Sequence, residues 1–163
     1  MIGNDIIDLA LAKKESNWKR KGFLDKIFTP KEQLLIFNVI NPEVMVWNLW
    51  SRKEAAYKIY NRETGIRAFF PLQLECHYES ETLGTVTCNG NTYFTHTIIS
   101  EEFIHSIAVA KKEYFNAIKS LNTKTKISKI NGIPFIIDSQ TQKASPVSIS
   151  HHGRFWEGIK LSN

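Results

Sequence analysis

Two cysteines in 163 residues give the chain almost no covalent framework. None is needed at this length, because a chain of roughly 150 residues buries about two-thirds of its surface on folding and suits a single domain. Cys76 and Cys88 could pair only in an oxidising compartment. The opening MIGNDIIDLA places two Asp within its first eight residues, where a secretory leader has a basic start and an unbroken apolar run. A reduced, cytoplasmic protein is therefore expected. Long hydrophobic runs are missing too, and nothing approaches the ~18 apolar residues of a membrane span, so no membrane partner is expected. Yet 42% hydrophobic and 12% aromatic residues are too many for a disordered chain. There is no Walker loop, GxGxxG, GxSxG or HExxH, which removes the main support for kinase, Rossmann and common hydrolase readings. Zinc is not expected, since Cys76, His77, Cys88 and His96 lack helix or knuckle spacing.

What is present is an uneven charge. The 21 Lys and Arg against 16 Asp and Glu leave a net +5. Residues 10–35 hold seven basic and three acidic residues, 63–105 one and six, and 111–143 seven and two. Two basic belts flanking an acidic middle suit an acidic partner or a phosphate-bearing ligand, although solvated Lys-rich faces give the same pattern.

The hydropathy pattern predicts an α+β fold with a long central helix on a largely antiparallel sheet. Gly3 to Leu9 reads as a strand with Gly3, Asp5 and Ile7 on one face, and Asp8 as the N-cap of the helical run LALAKKE. Thr29-Pro30-Lys31-Glu32 opens a helix through Phe37. Asn41-Pro42-Glu43 opens the strongest helix, which runs some five turns to a stop at Gly65 and is apolar over much of its circumference. From Phe69 to Lys111 the alternation of Thr, Val, Ile, Tyr and Phe predicts an antiparallel meander with a turn at Cys88-Asn89-Gly90-Asn91. Residues 113–121 predict a short helix and 122–129 an exposed link. Strands follow from Gly132 and over 146–153. No repeat and no clear domain boundary are visible, so residues 1–163 read as one domain.

In the long helix, Trp50, Glu54 and Lys58 line one face at i, i+4 and i+8, with Lys53 and Tyr57 beside them. Glu four residues before Lys is also an ordinary surface pair worth ~0.2–0.5 kcal/mol. It gains chemical meaning if Asp5 meets it, because two carboxylates beside an ammonium form a site for Mg²⁺ and a polyphosphate. The segment Ser148-Ile149-Ser150-His151-His152-Gly153-Arg154 adds hydroxyl, imidazole and guanidinium donors for a phosphate. A basic nucleic-acid-binding protein or Mg²⁺-dependent nuclease is the alternative reading. It is disfavoured because Glu54 and Lys58 share one helix rather than adjacent strand positions.

As a set and in this order, GNDIID, FTPKEQ, WSRKEAAYK and SISHH resemble the motifs of the 4′-phosphopantetheinyl transferase superfamily. The short chain looks like its holo-acyl-carrier-protein synthase branch. The resemblance implies transfer of the 4′-phosphopantetheine group from coenzyme A to a serine of an apo acyl or peptidyl carrier protein, with release of 3′,5′-ADP. No nucleic-acid partner is then expected. By the same resemblance Asp5 and Glu54 would hold Mg²⁺, Glu54 and Lys58 would be catalytic, and Lys53, Lys58, Ser150, His151 and Arg154 would bind coenzyme A. Lys13, Lys14, Lys19, Arg20 and Lys21 would grip the carrier. A homotrimer is expected by family analogy. Departures are Ile7, where the double-length branch has a third carboxylate, Leu11 in the place of a basic residue, and Gly-Ile-Pro where Gly-Lys-Pro is usual. Residues 67–112 look like a strand-rich addition.

Overall fold

Asp8 ends the first strand because its carboxylate turns back to cap the helix that follows, its Oδ1 accepting from the Ala10 and Leu11 amides at 3.0 and 3.3 Å. The computed structural model describes residues 1–138 and 141–162. Strand β1 (Ile2–Asp8) leads into the helices α1 (Leu9–Glu15), α2 (Phe23–Ile27) and α3 (Pro30–Phe37), then the long helix α4 (Pro42–Thr64). Both long-helix ends follow the expected chemistry: Asn41 accepts from the Val44 amide, and Gly65 closes α4 in the left-handed region at φ 74°.

Strands β2 (Glu75–Tyr78), β3 (Leu83–Cys88), β4 (Asn91–Ile99) and β5 (Phe103–Val109) form the expected meander. Asn89 and Gly90, at φ 48° and 81°, make its tight turn. The meander joins β1 in a five-stranded antiparallel sheet of order β1-β5-β4-β3-β2. A second antiparallel sheet has the order β6-β10-β9-β8-β7, built from β6 (Ile118–Leu121), β7 (Ser128–Ile130), β8 (Ile133–Ile137), β9 (Ala144–His152) and β10 (Phe155–Leu161).

Helix α4 lies across the first sheet, with Leu49, Ala55, Ala56 and Ile59 fully buried. The approach is close enough to need glycine: a β-carbon on Gly3 would fall 2.0 Å from the Ala55 carbonyl oxygen. The same packing brings the Gly3, Asp5 and Ile7 face of β1 onto α4. No helix among the described residues is long and apolar enough to cross a membrane. Cys76 and Cys88 are buried free thiols.

The structure departs from expectation in four places, one being that the expected link over 122–129 runs into β7 at Ser128. Residues 113–121 are not a helix but a 3-10 turn (Lys112–Ala117) followed by β6, which pairs with β10. Strand β10 was not anticipated, because Gly158 interrupts its alternation. Short α2 went unseen among the basic residues around it.

Candidate active site

Strand β1 has two edges, and they are built differently. On one, β5 pairs with it through an unbroken main-chain ladder from Ile2↔Val109 to Asp8↔Phe103. On the other, β9 runs alongside in the same direction, and its side chains meet the β1 amides. Asn4 N donates to Ser148 Oγ at 2.9 Å, Ile6 N to Ser150 Oγ at 3.1 Å, and Asp8 N to His152 Nδ1 at 2.8 Å. Because strand side chains alternate faces, only residues two apart can make such a row.

The carbonyl groups of the same seam are bridged from α4. Arg62 donates to Ile2 O and Val147 O at 2.7 and 2.6 Å. One turn earlier, Lys58 Nζ donates to Asn4 O at 2.6 Å and to Ile149 O at 3.2 Å. The next turn back presents Glu54. The helix thus offers two cations and then an anion to one seam.

Asp5 projects from β1 to this place. Its Oδ1 accepts from Ser150 Oγ at 2.9 Å and lies 3.6 Å from Lys58 Nζ. Burial raises the Asp5 pKa, against the opposing pull of Lys58 and Ser150. Glu54 is pushed up to about 7, first by burial and then by the charge of Asp5, with Lys58 opposing. Two carboxylates that resist joint ionisation thus stand beside a single ammonium. Hard oxygen ligands in a pair suit Mg²⁺, which is usually held by one or two carboxylates plus phosphate oxygens and water. The cleft beside them holds about 280 Å³ and is lined by Asp5, Glu54 and His151 together with Ile7, Trp47 and Trp50. Beneath the site, His105 Nε2 lies 3.2 Å from Asn4 Nδ2. Burial, with Lys58 and His96 adding to it, lowers His105 to about 4, so the ring is neutral at pH 7 and takes the Asn4 proton as an acceptor.

Of the residues singled out from the sequence, Asp5, Glu54, Lys58, Ser150 and His151 come together here. Two do not. Lys53 is fully buried, and its Nζ donates to Glu32 Oε2 at 2.7 Å, Pro71 O at 2.8 Å and Ile27 O at 2.9 Å. Glu32 also takes the amides of Thr29 and Cys76 at 2.8 and 2.7 Å, so the ion pair is an anchor that ties α3, α4 and β2 together. All three Nζ donors are thus used inside the core. Arg154 is likewise engaged: its Nε donates to Asp8 Oδ2 at 2.9 Å and its Nη1 to Glu102 Oε1 at 3.0 Å. It holds the hairpin β9–β10 on the α1 cap, and the guanidinium beside Asp8 keeps that carboxyl well below the usual range.

Lys13 and Lys14 lie in the last turn of α1. Lys19, Arg20 and Lys21 line a separate groove of about 380 Å³ with Trp18 and Phe37. Sequence reasoning missed Arg62, which continues the i+4 series of Glu54 and Lys58 and so was within reach of the same spacing rules. Ser148, placed with Ser150 on one face from the sequence, takes the Asn4 amide rather than a ligand.

Residues 1–111 match the family model described as the 4′-phosphopantetheinyl transferase superfamily. The chain is 44% identical over 57 residues to a holo-[acyl-carrier-protein] synthase of Campylobacter jejuni, a stretch covering 35% of this chain and 46% of the relative, and so about half the length of that protein. The fold resembles the holo-[acyl-carrier-protein] synthase of Helicobacter pylori solved in complex with coenzyme A (TM-score 0.53, 19% identity, 67% of this chain and 98% of that one). It also resembles the Neisseria meningitidis synthase (TM-score 0.53, 21% identity, 68% and 97%). With two-thirds of its length matched by the family model and the fold shared, the chain belongs to the 4′-phosphopantetheinyl transferase superfamily.

Proposed function

We propose that the protein transfers the 4′-phosphopantetheine group of coenzyme A to a serine hydroxyl of an apo acyl or peptidyl carrier protein, with Mg²⁺ at Asp5 and Glu54. The observation that carries this is the meeting of Asp5, Glu54 and Lys58 at the β1–β9 seam, on the residues that resemble the family's motifs. An ion held by the two carboxylates would supply positive charge to the diphosphate of coenzyme A. Lys58, anchored by two carbonyl oxygens, is rigidly placed to neutralise the phosphate charge beyond it. The serine oxygen bonds to the phosphorus that carries the pantetheine arm, the bond from that phosphorus to the bridging oxygen breaks, and 3′,5′-ADP leaves. Glu54, or a water held by the ion, would accept the serine proton. Ser150 positions Asp5 through its hydrogen bond, and exposed His151 faces the phosphates from the cleft wall. Such chemistry asks the protein chiefly for positioning and charge neutralisation. Lys13, Lys14, Lys19, Arg20 and Lys21 present a basic surface for the carrier.

The test is incubation of the protein with coenzyme A, Mg²⁺ and a panel of apo carriers from fatty-acid and secondary-metabolite systems. Mass spectrometry should show one phosphopantetheine added to at least one carrier. Failure with every carrier would remove the proposal.

A further inference from the structure

Asn4 stands one residue before Asp5, is fully buried, and is held from four elements. Its amide N–H donates to Ser148 Oγ of β9 at 2.9 Å, and its carbonyl oxygen accepts from Lys58 Nζ of α4 at 2.6 Å. Both main-chain groups thus face the seam. Its side-chain Nδ2 donates to Glu157 O of β10 at 3.1 Å and lies 3.2 Å from His105 Nε2 of β5. A carbonyl can only accept, so Glu157 O fixes which end of the Asn4 amide faces it. His105 Nε2, beside the same nitrogen, must then offer a lone pair, with the ring proton on Nδ1. Strand pairing sets the contact up. Asn4 pairs with Ile107, which puts His105 on the same face of the sheet at the diagonal position, within reach of a long side chain. An apolar side chain would fill this space with no polar group to satisfy. Instead the fold buries an amide whose Oδ1 has no partner among the described residues, while both of its N–H groups are taken.

We propose that His105 is a positioning residue for Lys58, acting through Asn4. The inference rests on the phosphopantetheine-transfer reading, in which Lys58 neutralises phosphate charge. Of the three N–H groups on Lys58 Nζ, Asn4 O and Ile149 O take two, and the third is left for Asp5 and a phosphate. Where the ammonium sits therefore depends on where Asn4 O sits. On the main-chain side Asn4 is held by one serine hydroxyl, a group that can rotate. The clamp from His105 and Glu157 on its side chain is what keeps the Asn4 peptide from tilting. Without His105 a buried N–H loses its acceptor, and the amide turns toward another, carrying the Lys58 anchor with it. A small displacement of a charged group matters most where charge shifts onto the leaving diphosphate oxygen and least for ground-state binding. Burial, with the charge of Lys58 next, keeps the His105 ring neutral, so it places no second cation under the ammonium.

The test is steady-state phosphopantetheine transfer by the full chain for two variants. His105→Phe keeps a ring and removes the acceptor, and His105→Gln returns an acceptor oxygen near the Nε2 position. His105→Phe should lower kcat about tenfold with KM for coenzyme A within about twofold of the unaltered value, and His105→Gln should return kcat to within about twofold. Asn4→Ala, which removes the amide and keeps the carbonyl, should show the same split and decides the question where His105→Phe fails to fold. A readout independent of turnover is the Lys58 ammonium resonance in proton–nitrogen NMR of the ligand-free protein, identified by its loss in Lys58→Arg. It should be visible in the unaltered protein and in His105→Gln, and broadened beyond detection in His105→Phe. An unchanged kcat in His105→Phe, a loss confined to KM, or equal losses in the Phe and Gln variants overturns the positioning role and leaves the transfer reading standing. If the unaltered protein transfers to no carrier, the transfer reading falls, and persistence of the Lys58 signal in His105→Phe then overturns the positioning role as well.

Discussion

The two edges of β1 hold the two sheets by different means. Strand β5 is joined through backbone groups that every residue carries, whereas β9 is joined through Ser148, Ser150 and His152 on one side and through Arg62 and Lys58 on the other. A main-chain ladder tolerates most strand sequences and leaves only an alternation of hydropathy behind. A side-chain seam needs particular residues at every second position. The site lies on the seam because only there do side chains, rather than paired backbone groups, fill the space beside Asp5.

The largest effect expected of any single change lies away from that seam. Lys53→Met should cost about 3–5 kcal/mol in urea unfolding, because it leaves Glu32 charged and unpaired in the core. Its remaining folded fraction should keep coenzyme A affinity, which separates the anchor role from a ligand role. If affinity falls by tenfold or more, Lys53 belongs to the site after all.

The carboxylate pair gives the next effect, about 3 kcal/mol, through pH. Folding raises Glu54 from its ordinary 4.5 to about 7, so the folded state keeps a proton that the unfolded chain has already lost. The advantage this brings is complete below pH 4.5 and disappears as pH rises through 7. In a chelator the melting temperature should drop several degrees over that window, and Mg²⁺ should restore it at pH 7.5. Glu54→Gln should flatten the profile and remove the Mg²⁺ response. A steep profile in that variant would place the effect elsewhere.

The seam can be broken directly. Arg62→Met should destabilise by about 2 kcal/mol, with two bridged carbonyls left without their donor. Hydrogen exchange should quicken in β8 and β9 and stay slow in β3–β5, where the ladder is untouched. Uniform quickening would mean that the two edges are equivalent. Ser148→Ala, which removes a single acceptor from the Asn4 amide, should cost about 1 kcal/mol with the same regional signature.

The contrast between edges also explains what could be read from the sequence. Asp8 as a cap, the Thr29–Glu32 box and both ends of α4 are local backbone chemistry, and each was legible. Asp5, Glu54, Lys58 and Ser150 were legible because rigid periodicities place them. The partners of Lys53 and Arg154 were not, since these are Glu32 and Asp8, 21 and 146 residues away in sequence. No spacing rule reports a partner at that distance. Likewise β6 pairs with β10 and β10 with β9, and their patterns, broken by Gly158 and by Lys119, carry too little alternation to mark a strand.

The most direct measurement is the initial rate at which an apo carrier gains phosphopantetheine from coenzyme A with saturating Mg²⁺, for the unaltered protein and for Glu54→Gln. The seam site predicts a measurable rate for the first and a loss of about a hundredfold or more for the second, with the variant still folded. Near-equal rates would contradict the assignment of Asp5 and Glu54 as the centre of the reaction.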